Sequence, residues 1–250
     1  MSNEMSNEKS GGKNPTLWRI DKLLARVLPT TRSAAQKLTR SGRVTVDGEL
    51  ERDASRHVDP RRQVVLVDDH PIPSADPLLL MMHKPAGVVS ATEDALEKTV
   101  LDLVPRALQR RDLAPIGRLD KDATGLLLLG EDGQLAHALT HPRRHVAKVY
   151  AVTFSGRLAD DALTQVSVGL RLADGTTYLP AELVMIDDTH AELTLREGKY
   201  HQVKRMIAAL GGVVTALHRT RFGPLVLPAE LLPGEVRELS ADERDLIEPR

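Results

Sequence analysis

The sequence predicts an α+β protein with two domains: a small N-terminal module, and a larger domain built on a mainly antiparallel mixed sheet with flanking helices. The chain has 250 residues, which is long enough to bury two separate cores. Three prolines fall within the seven residues from Pro71 to Pro77 and indicate a linker. After the linker, many strand-like segments accompany a few helical ones, which favours an α+β fold.

The N-terminal module begins with two predicted helices. Apolar residues recur at helical spacing over residues 20–28, and Pro29 ends this first helix because proline cannot continue it. Thr31 can cap a second helix that runs to about Ser41, with Gly42 just past its end.

A hairpin and one further strand complete this module. The segment VTVDGEL alternates in polarity around Asp47-Gly48, which is a strong hairpin signal. Residues 63–67 form another predicted strand. The module is therefore a small α/β unit of about 60 residues, a size typical of a minimal domain.

The larger domain carries most of the predicted sheet. Its apolar and alternating runs predict strands at residues 78–83, 125–129, 146–154, 181–186, 191–195 and 213–217. The same patterns predict helices at residues 100–108, 134–140 and 200–210.

Composition narrows the functional classes. The chain has no cysteine, so disulfides, thiol nucleophiles and Cys-ligated zinc are excluded, and a reducing compartment is expected. It has one Trp, three Tyr and two Phe, too few for a platform of many stacked aromatics. The polar start MSNEMSNEKSGGKN has no apolar signal region, and no stretch is apolar enough to cross a membrane. We therefore expect a soluble, cytoplasmic protein.

Charge is segregated, although the formal net charge is only −1. Seven bases face one acid between Arg19 and Arg43, and six face one acid between Arg196 and Arg221. Acidic residues gather in residues 157–192 and after Glu230. This separation suggests a face that binds a polyanion, with ordinary solvated surfaces as the alternative.

The N-terminal module resembles an S4 domain, a small RNA-binding unit. The matching features are the R-I-D-K start, the basic second helix and the G-R-V-T-V-D-G run into the hairpin, within about residues 17–70. The resemblance implies RNA binding but no chemistry. The residues expected to contact RNA from this module are Arg19, Lys22, Arg32, Lys37, Arg40 and Arg43.

Four segments of the larger domain could form one site: HKPAGVVS (83–90), IGRLD (116–120), AKVYAV (147–152) and REGKYHQVKRMIAALGG (196–212). Together they offer a carboxylate, several cations and one useful aromatic ring. No metal-ligand spacing, phosphate-binding P-loop or serine nucleophile elbow occurs. A carboxylate beside cations points to covalent or electrostatic chemistry on a nucleotide.

In their order, these four segments resemble the pseudouridine synthases, within the branch that modifies ribosomal RNA and carries an N-terminal S4 domain. The segments EGKYHQVKRM and LHRTRFGPL are most similar to members of the uridine-516 type, which act on 16S rRNA. The resemblance implies isomerisation of uridine to pseudouridine after the target base is flipped out, without cofactor or metal. Its alternatives are a 23S rRNA target and a non-catalytic S4-type assembly factor.

The resemblance also implies roles for individual residues. Asp120 matches the catalytic aspartate, Lys204 the base that keeps it ionised, and Tyr150 the ring that stacks on the target uracil. Val203 would flank the pocket, and Arg118 would engage the RNA backbone. Further RNA contacts are expected from Lys84, Arg143, Arg144 and Arg205. The motif alone decides for Asp120, because an aspartate at this kind of turn is otherwise a capping or salt-bridged residue.

Two neighbouring aspartates are given no catalytic role. Asp122 lies where the family varies, and Asp132 begins a turn with Gly133. His201 and Gln202 are at most residues that orient their neighbours.

The resemblances divide the chain into five segments. They are a disordered tail (1–16), the S4 domain (17–72), a linker (73–77), the catalytic domain (78–241) and a C-terminal tail (242–250). The expected partner is ribosomal RNA, 16S in preference, either free or in a small-subunit assembly intermediate. We expect no membrane contact and a monomer.

Overall fold

The computed structural model describes residues 17–60, 62–73 and 77–247. The chain divides into two compact units, Met1–Asp76 and Pro77–Arg250. The predicted tail over residues 1–16 and residues 74–76 of the predicted linker lie outside the described residues.

The N-terminal unit contains two helices and six short strands. In chain order these are β1 (Trp18–Arg19), α1 (Ile20–Val27), α2 (Arg32–Arg40), β2 (Val44–Val46), β3 (Glu49–Glu51), β4 (His57–Val58), β5 (Val65–Val67) and β6 (His70–Pro71). An antiparallel sheet has the order β3-β2-β5-β6, and β1 pairs with β4. The apolar stripe of α1 packs with Ala35 of α2 against valines of the strands to form the core.

The predicted turn chemistry of this unit is confirmed. The Thr31 side chain accepts a hydrogen bond from the Ala34 N–H at 3.2 Å and caps α2. Gly42 follows α2 with φ +78°, and Asp47 and Gly48 have φ +54° and +84° in the hairpin. Only residues that tolerate left-handed backbone fit such positions well.

The C-terminal unit is built on one nine-stranded sheet. Its elements are β7 (Leu79–Lys84), β8 (Ala114–Ile116), β9 (Thr124–Gly130), α3 (Gly133–Thr140), β10 (Lys148–Gly156), α4 (Ala162–Val168), β11 (Glu182–Met185), β12 (His190–Leu195), α5 (Gln202–Ala209), β13 (Gly212–Phe222), β14 (Leu225–Val226), β15 (Val236–Glu238) and α6 (Ala241–Ile247).

The sheet is mixed and dominated by antiparallel pairs. Its order is β11-β12-β10-β13-β9-β7-β15, with β14 on β13 and β8 on β9. In the described chain, every neighbouring pair is antiparallel except β9 and β13, which run parallel. This confirms the predicted α+β class.

The leucine run of β9 is buried on both faces of the sheet. Leu127 and Leu129 face the core that includes α4 and α5. Leu126 and Leu128 face a second core that includes α3 and α6. A strand covered on both faces reads as a continuous apolar run, which explains why this segment lacks alternation.

The helix predicted at residues 100–108 is wrong. The segment forms two separate 3₁₀ turns, Leu101–Leu103 and Arg106–Leu108. Between them Val104 is extended, with φ −70° and ψ 125°. The cause is Pro105, since proline disfavours helical backbone in the residue before it and has no N–H to donate.

The predicted C-terminal tail over residues 242–250 is also wrong as far as Ile247. Residues 241–247 form helix α6, and Ile247 is buried in the second core. The Glu243 N–H donates to the Ser240 hydroxyl at 3.2 Å, while the Ser240 N–H donates to the Glu243 carboxylate at 2.9 Å. This reciprocal pair is a capping box, and it fixes where the helix begins.

Candidate active site

The loop between β8 and β9 carries Asp120, and hydrogen bonds to its backbone groups hold it in place. The Ser90 hydroxyl donates to the Leu119 carbonyl at 2.9 Å and accepts from the Leu119 N–H at 3.1 Å. The Gly87 N–H donates to the Lys121 carbonyl at 2.8 Å. These bonds attach the HKPAGVVS segment (83–90) to the loop and fix the backbone that carries Asp120.

Lys84 supports the same loop, and the prediction that it contacts RNA is wrong. Its side chain is fully buried, and its ammonium donates to the carbonyls of Pro85 (3.0 Å), Lys121 (3.3 Å) and Ala123 (2.8 Å). Burial lowers the pKa of Lys84 to about 8, even though Asp122 and Asp120 act to raise it. A charge this enclosed ties the strand end to the loop and is not available to a phosphate.

Asp120 and Lys204 meet as predicted. The Lys204 ammonium on α5 lies 3.2 Å from Asp120 Oδ2, and each side chain is 27% exposed. The carboxylate is therefore accessible while a cation holds it from the helix side. Val203, the residue before Lys204, is buried in the core together with Tyr150.

Asp122 is the site residue that the sequence interpretation set aside. Lys204 Nζ donates to Asp122 Oδ1 at 2.6 Å and lies 2.9 Å from Oδ2, closer than it lies to Asp120. Burial opposes the charge on Lys204, but its hydrogen bonds to Asp122 and Asp120 raise its pKa overall. The same lysine, through its hydrogen bond, lowers the pKa of Asp122. Lys204 therefore serves two carboxylates.

His201 is the third group at Asp120. Its Nε2 lies 3.6 Å from Asp120 Oδ1. The His201 backbone is left-handed, with φ 49° and ψ 32°, directly before α5 begins. That conformation turns the chain into the helix and brings His201 and Lys204 to the same carboxylate. Gln202, next in the chain, instead donates to the buried Glu197 at 2.8 Å.

Tyr150 lies in the sheet close to the Asp120 loop. On β10 it pairs with Arg219 of β13, and Arg219 pairs in turn with Gly125 of β9. These three residues form one row across the sheet, and Gly125, at one end of the row, is five positions after Asp120 along the chain. Tyr150 is only 8% exposed, so the stacking role remains a prediction about a recessed ring.

Gly125 makes that row possible. Its φ is +107°, and a Cβ added there would lie 2.3 Å from the Arg219 carbonyl oxygen. The glycine of the G-L-L motif is thus required by the close approach of β13, independently of any chemistry.

Arg219 is a buried cation that sequence reasoning missed as a site residue. It is 1% exposed, its Nε donates to the Leu126 carbonyl at 2.7 Å, and its Nη1 lies 3.5 Å from the Arg118 carbonyl. Its Nη2 has no hydrogen-bond partner among the described residues. Burial, and then Arg219, lower the pKa of nearby Lys148 to about 8. The alternation along β13 places Arg219 on the inward-facing side. Sequence patterns do not predict a charged residue there, because charged residues are rarely fully buried.

The predicted RNA contacts of the C-terminal unit differ in availability. Arg118, Arg143 and Arg144 are exposed, and none forms an ion pair with a described residue. Arg205 is paired with Asp174 and lies 3.3 Å from the Thr176 hydroxyl. The first three side chains are therefore available to bind phosphate, whereas Arg205 could do so only after its ion pair with Asp174 breaks.

In the N-terminal unit the predicted contacts divide in the same way. Buried Asp21 binds Arg19 through two hydrogen bonds and also binds Arg32, and its pKa is strongly lowered, first of all by Arg19. Arg43 is paired with Asp68. The remaining predicted contacts of this unit are exposed and form no ion pair with a described residue: Lys22, Lys37 and Arg40.

The described residues contain neither a metal-binding cluster nor a membrane-spanning helix. No group of three or more His, Asp or Glu side chains in this part of the chain could hold a metal ion. None of its helices has the length and apolar character needed to cross a membrane.

Comparison with known proteins shows which family the chain belongs to. A family model described as RNA pseudouridylate synthase matches residues 78–209, and one described as S4 domain matches residues 18–64. The chain is 41% identical over 227 residues to the ribosomal small subunit pseudouridine synthase A of Escherichia coli (strain K12), covering 90% of this chain and 97% of that protein.

Two further similarities extend along nearly the whole chain. The uncharacterized RNA pseudouridine synthase YtzG of Bacillus subtilis (strain 168) is 40% identical over 233 residues, covering 92% of this chain and 98% of that protein. A pseudouridylate synthase of known crystal structure superposes with a TM-score of 0.64 at 34% identity, covering 92% and 99% of the two chains. The chain is thus an enzyme of the RNA pseudouridylate synthase family with an N-terminal S4 domain.

Proposed function

We propose that this enzyme isomerises a uridine of small-subunit ribosomal RNA, of the uridine-516 type, to pseudouridine, with Asp120 as the catalytic carboxylate. The observation that carries the proposal is the contact of Lys204 with Asp120 at 3.2 Å, between two motifs far apart in sequence. The small-subunit target is supported by 41% identity to a relative named for that substrate.

The reaction breaks the N1–C1′ glycosidic bond, turns the uracil and forms a C5–C1′ bond. C5 then loses its proton and N1 gains one, so the product is an isomer of uridine and no redox partner is needed. The uridine must leave its stack to expose these atoms, at a cost of about a few kcal/mol. A carboxylate can attack the nucleotide or assist departure of the base, and it can hold the intermediate until the rotated base reattaches. Asp120 is 27% exposed and can reach such a nucleotide.

Lys204 and Asp122 together fit a covalent or closely related step. When Asp120 engages the nucleotide, its negative charge is reduced, and Lys204 loses part of its counter-charge. A partly buried ammonium without a counter-charge is costly. Asp122 remains bound to Lys204 at 2.6 Å and supplies that counter-charge throughout.

Asp120→Asn tests the assignment, because it keeps the shape of the side chain and removes the charge. We expect kcat to fall by about 1,000-fold or more, while the Kd for RNA stays near that of the wild type. Glu97→Gln is the matched control, since Glu97 is an exposed carboxylate that pairs with Lys121 of the same loop. Retained turnover in Asp120→Asn would show that another group is the nucleophile.

Mapping pseudouridines in rRNA tests the target. Cells lacking this protein should lose one modification in 16S rRNA and none in 23S rRNA, and the wild-type gene should restore it where Asp120→Asn does not. Loss of a 23S site would favour the large-subunit alternative. No loss at any site, together with a ribosome-assembly defect that Asp120→Asn rescues, would favour a non-catalytic assembly factor.

We further propose that the enzyme acts as a monomer in the cytoplasm, on free rRNA or on an assembly intermediate of the small subunit. Sedimentation of the pure protein tests the first statement. Comparison of naked 16S rRNA with partly assembled particles as substrates tests the last.

A further inference from the structure

Tyr200 is an exposed aromatic ring in a chain that buries most of its few aromatics. Tyr150, Phe154, Tyr178 and Phe222 are at most 8% exposed, whereas Tyr200 is 76% exposed. An exposed ring loses the free energy that burial would give it. Its position therefore requires a local explanation.

The Tyr200 ring is ordered by its neighbour. It stacks on the His201 imidazole with a centroid distance of 3.8 Å and an interplanar angle of 18°. His201 in turn lies 3.6 Å from Asp120 through its Nε2. The stacked pair is therefore connected to the catalytic carboxylate by one direct contact.

The backbone at His201 adopts an unfavourable conformation in this arrangement. His201 has φ 49°, a left-handed conformation that costs a residue with a Cβ about 1 kcal/mol or more. Strain of this kind persists where the surrounding structure enforces it, and it is enriched at functional sites. The turn at His201 places its imidazole beside Asp120 and the stacked Tyr200 ring next to that imidazole, ahead of helix α5.

The surroundings of the ring are polar and charged, which favours RNA over an apolar partner. Lys199, Lys204 and Arg205 lie within five residues of Tyr200, and each is paired with a carboxylate. The feature that favours single-stranded nucleic acid is therefore the exposed ring itself, on which a base can stack.

We propose that the stacked Tyr200–His201 pair is a platform for a nucleobase that neighbours the target uridine in the RNA strand. This rests on the proposed function, because RNA must lie at Asp120 for the neighbouring base to reach Tyr200. The role differs from that of Tyr150, which is 8% exposed and recessed in the sheet. The platform would contribute affinity and preference for the bases around the target, and it would not take part in the chemistry.

The test compares Tyr200→Ala with Tyr200→Phe, using a 16S rRNA fragment in which the target uridine is flanked by purines. We expect Tyr200→Ala to raise the Kd about 5- to 150-fold, the range that one base–aromatic stack accounts for. Tyr200→Phe keeps the ring and should stay within about twofold of the wild type by the same reasoning. At saturating RNA, kcat should stay near the wild-type value in both variants.

A matched control separates stacking from general loss of exposed apolar surface. Ile186 is 67% exposed and follows β11, an edge strand of the sheet, so Ile186→Ala should bind like the wild type. A second RNA series places an abasic nucleotide on either side of the target uridine. At one of these positions, the difference between the wild type and Tyr200→Ala should disappear.

Two outcomes would overturn the platform. One is a wild-type Kd in Tyr200→Ala. The other is a loss of affinity in Tyr200→Ala that persists unchanged on both abasic RNAs, which would mean that Tyr200 contacts something other than a base. Pseudouridine formation by the wild type on the same fragment tests the proposed function separately, since the binding comparison does not depend on turnover.

Discussion

Lys204 lies between two carboxylates, and its charge therefore balances only one of them. Asp122 is the nearer partner at 2.6 Å and Asp120 the more distant at 3.2 Å. One negative charge is therefore left unbalanced, with His201 and buried Lys84 nearby. Against the effect of burial, the hydrogen bonds of Lys204 to both carboxylates raise its pKa.

Asp122→Asn should shift the pH dependence of catalysis. Removal of this carboxylate takes away a hydrogen bond that raises the pKa of Lys204. The ammonium then loses its proton at a lower pH, so the alkaline fall of kcat should begin at a lower pH than in the wild type. The Kd for RNA should be unchanged or lower, because an exposed negative charge has been removed. A profile of kcat from pH 7 to pH 10.5 checks this.

Glu97→Gln again serves as the control for Asp122→Asn. It removes a carboxylate bound to Lys121, the residue before Asp122, without touching Lys204. Its pH profile should match that of the wild type. If Asp122→Asn gives the same profile as Glu97→Gln, Asp122 has no influence on Lys204 during catalysis.

Lys84→Met should destabilise the protein without weakening its contact with RNA phosphates. The change leaves three carbonyls without their donor, at a cost of roughly 2–4 kcal/mol in unfolding free energy. The wild-type advantage should grow between about pH 8 and 10.5. Over that window the unfolded lysine still holds a proton that the folded one has lost, so stability rises with pH. Urea unfolding at several pH values measures both effects.

Site residues that lie in a recognised motif could be predicted from the sequence. Residues that enter the site only through tertiary contacts could not. The Asp120–Lys204 contact was expected from two matched segments. Asp122 was missed because its importance comes from a partner 82 residues later in the chain. Arg219 was missed because a fully buried guanidinium contradicts the usual link between charge and exposure.

At the scale of elements, the pattern of apolar residues predicted most strands and helices, and local chemistry decided the exceptions. Pro105 divides a helical-looking segment into two short turns. At the C-terminus the capping box was visible in the sequence as Ser240 followed three residues later by Glu243. That signal would have replaced the predicted tail with helix α6.

Glu243→Gln should reveal how much charge contributes to α6. The two Arg237–Glu243 hydrogen bonds, ahead of other causes, lower the pKa of Glu243 to about 2. A carboxyl with a lowered pKa stabilises the fold fully above its unfolded pKa, and that contribution is lost as the pH falls towards about 2. Glutamine keeps the capping geometry but removes the charge that pairs with Arg237. The variant should therefore be less stable than the wild type at pH 7, and this difference in stability should shrink below about pH 4.5.

Thermal or urea unfolding of Glu243→Gln and Glu243→Ala provides the comparison. The alanine variant loses the cap as well and should be less stable than glutamine at every pH, by about 0.5–2 kcal/mol. A glutamine variant whose deficit is constant down to pH 3 would show that the ion pair does not contribute through charge.

At the scale of the whole molecule, a near-neutral chain carries two kinds of arginine. Arg19, Arg32, Arg43 and Arg205 are bound to carboxylates within their own unit. Arg143 and Arg144 extend from an exposed 3₁₀ turn and form no ion pair with a described residue. Charge counts along the sequence do not distinguish these groups, which is why the predicted RNA face was broader than the set of available cations.

The salt dependence of RNA affinity should distinguish the arginines that are unpaired among the described residues from cations that are not available to phosphate. The logarithm of the Kd for RNA should rise linearly with the logarithm of the salt concentration. The slope of that line is set by the number of phosphates contacted. Arg143→Ala and Arg144→Ala should each reduce that slope by about one or slightly less. Lys84→Met should leave the slope unchanged. Equal slopes in all variants would place the phosphate contacts elsewhere.

The parallel pairing of β9 with β13 has a consequence for synthesis of the chain. Parallel neighbours cannot be joined by a hairpin, and here the connection spans everything from α3 to α5. A nascent polypeptide that has completed every strand through β12 still lacks Lys204. Asp120 therefore has no cation until synthesis has passed helix α5 and the long crossover to β13 has closed. Any nascent chain that ends before α5 therefore lacks the Asp120–Lys204 pair and is expected to show no turnover.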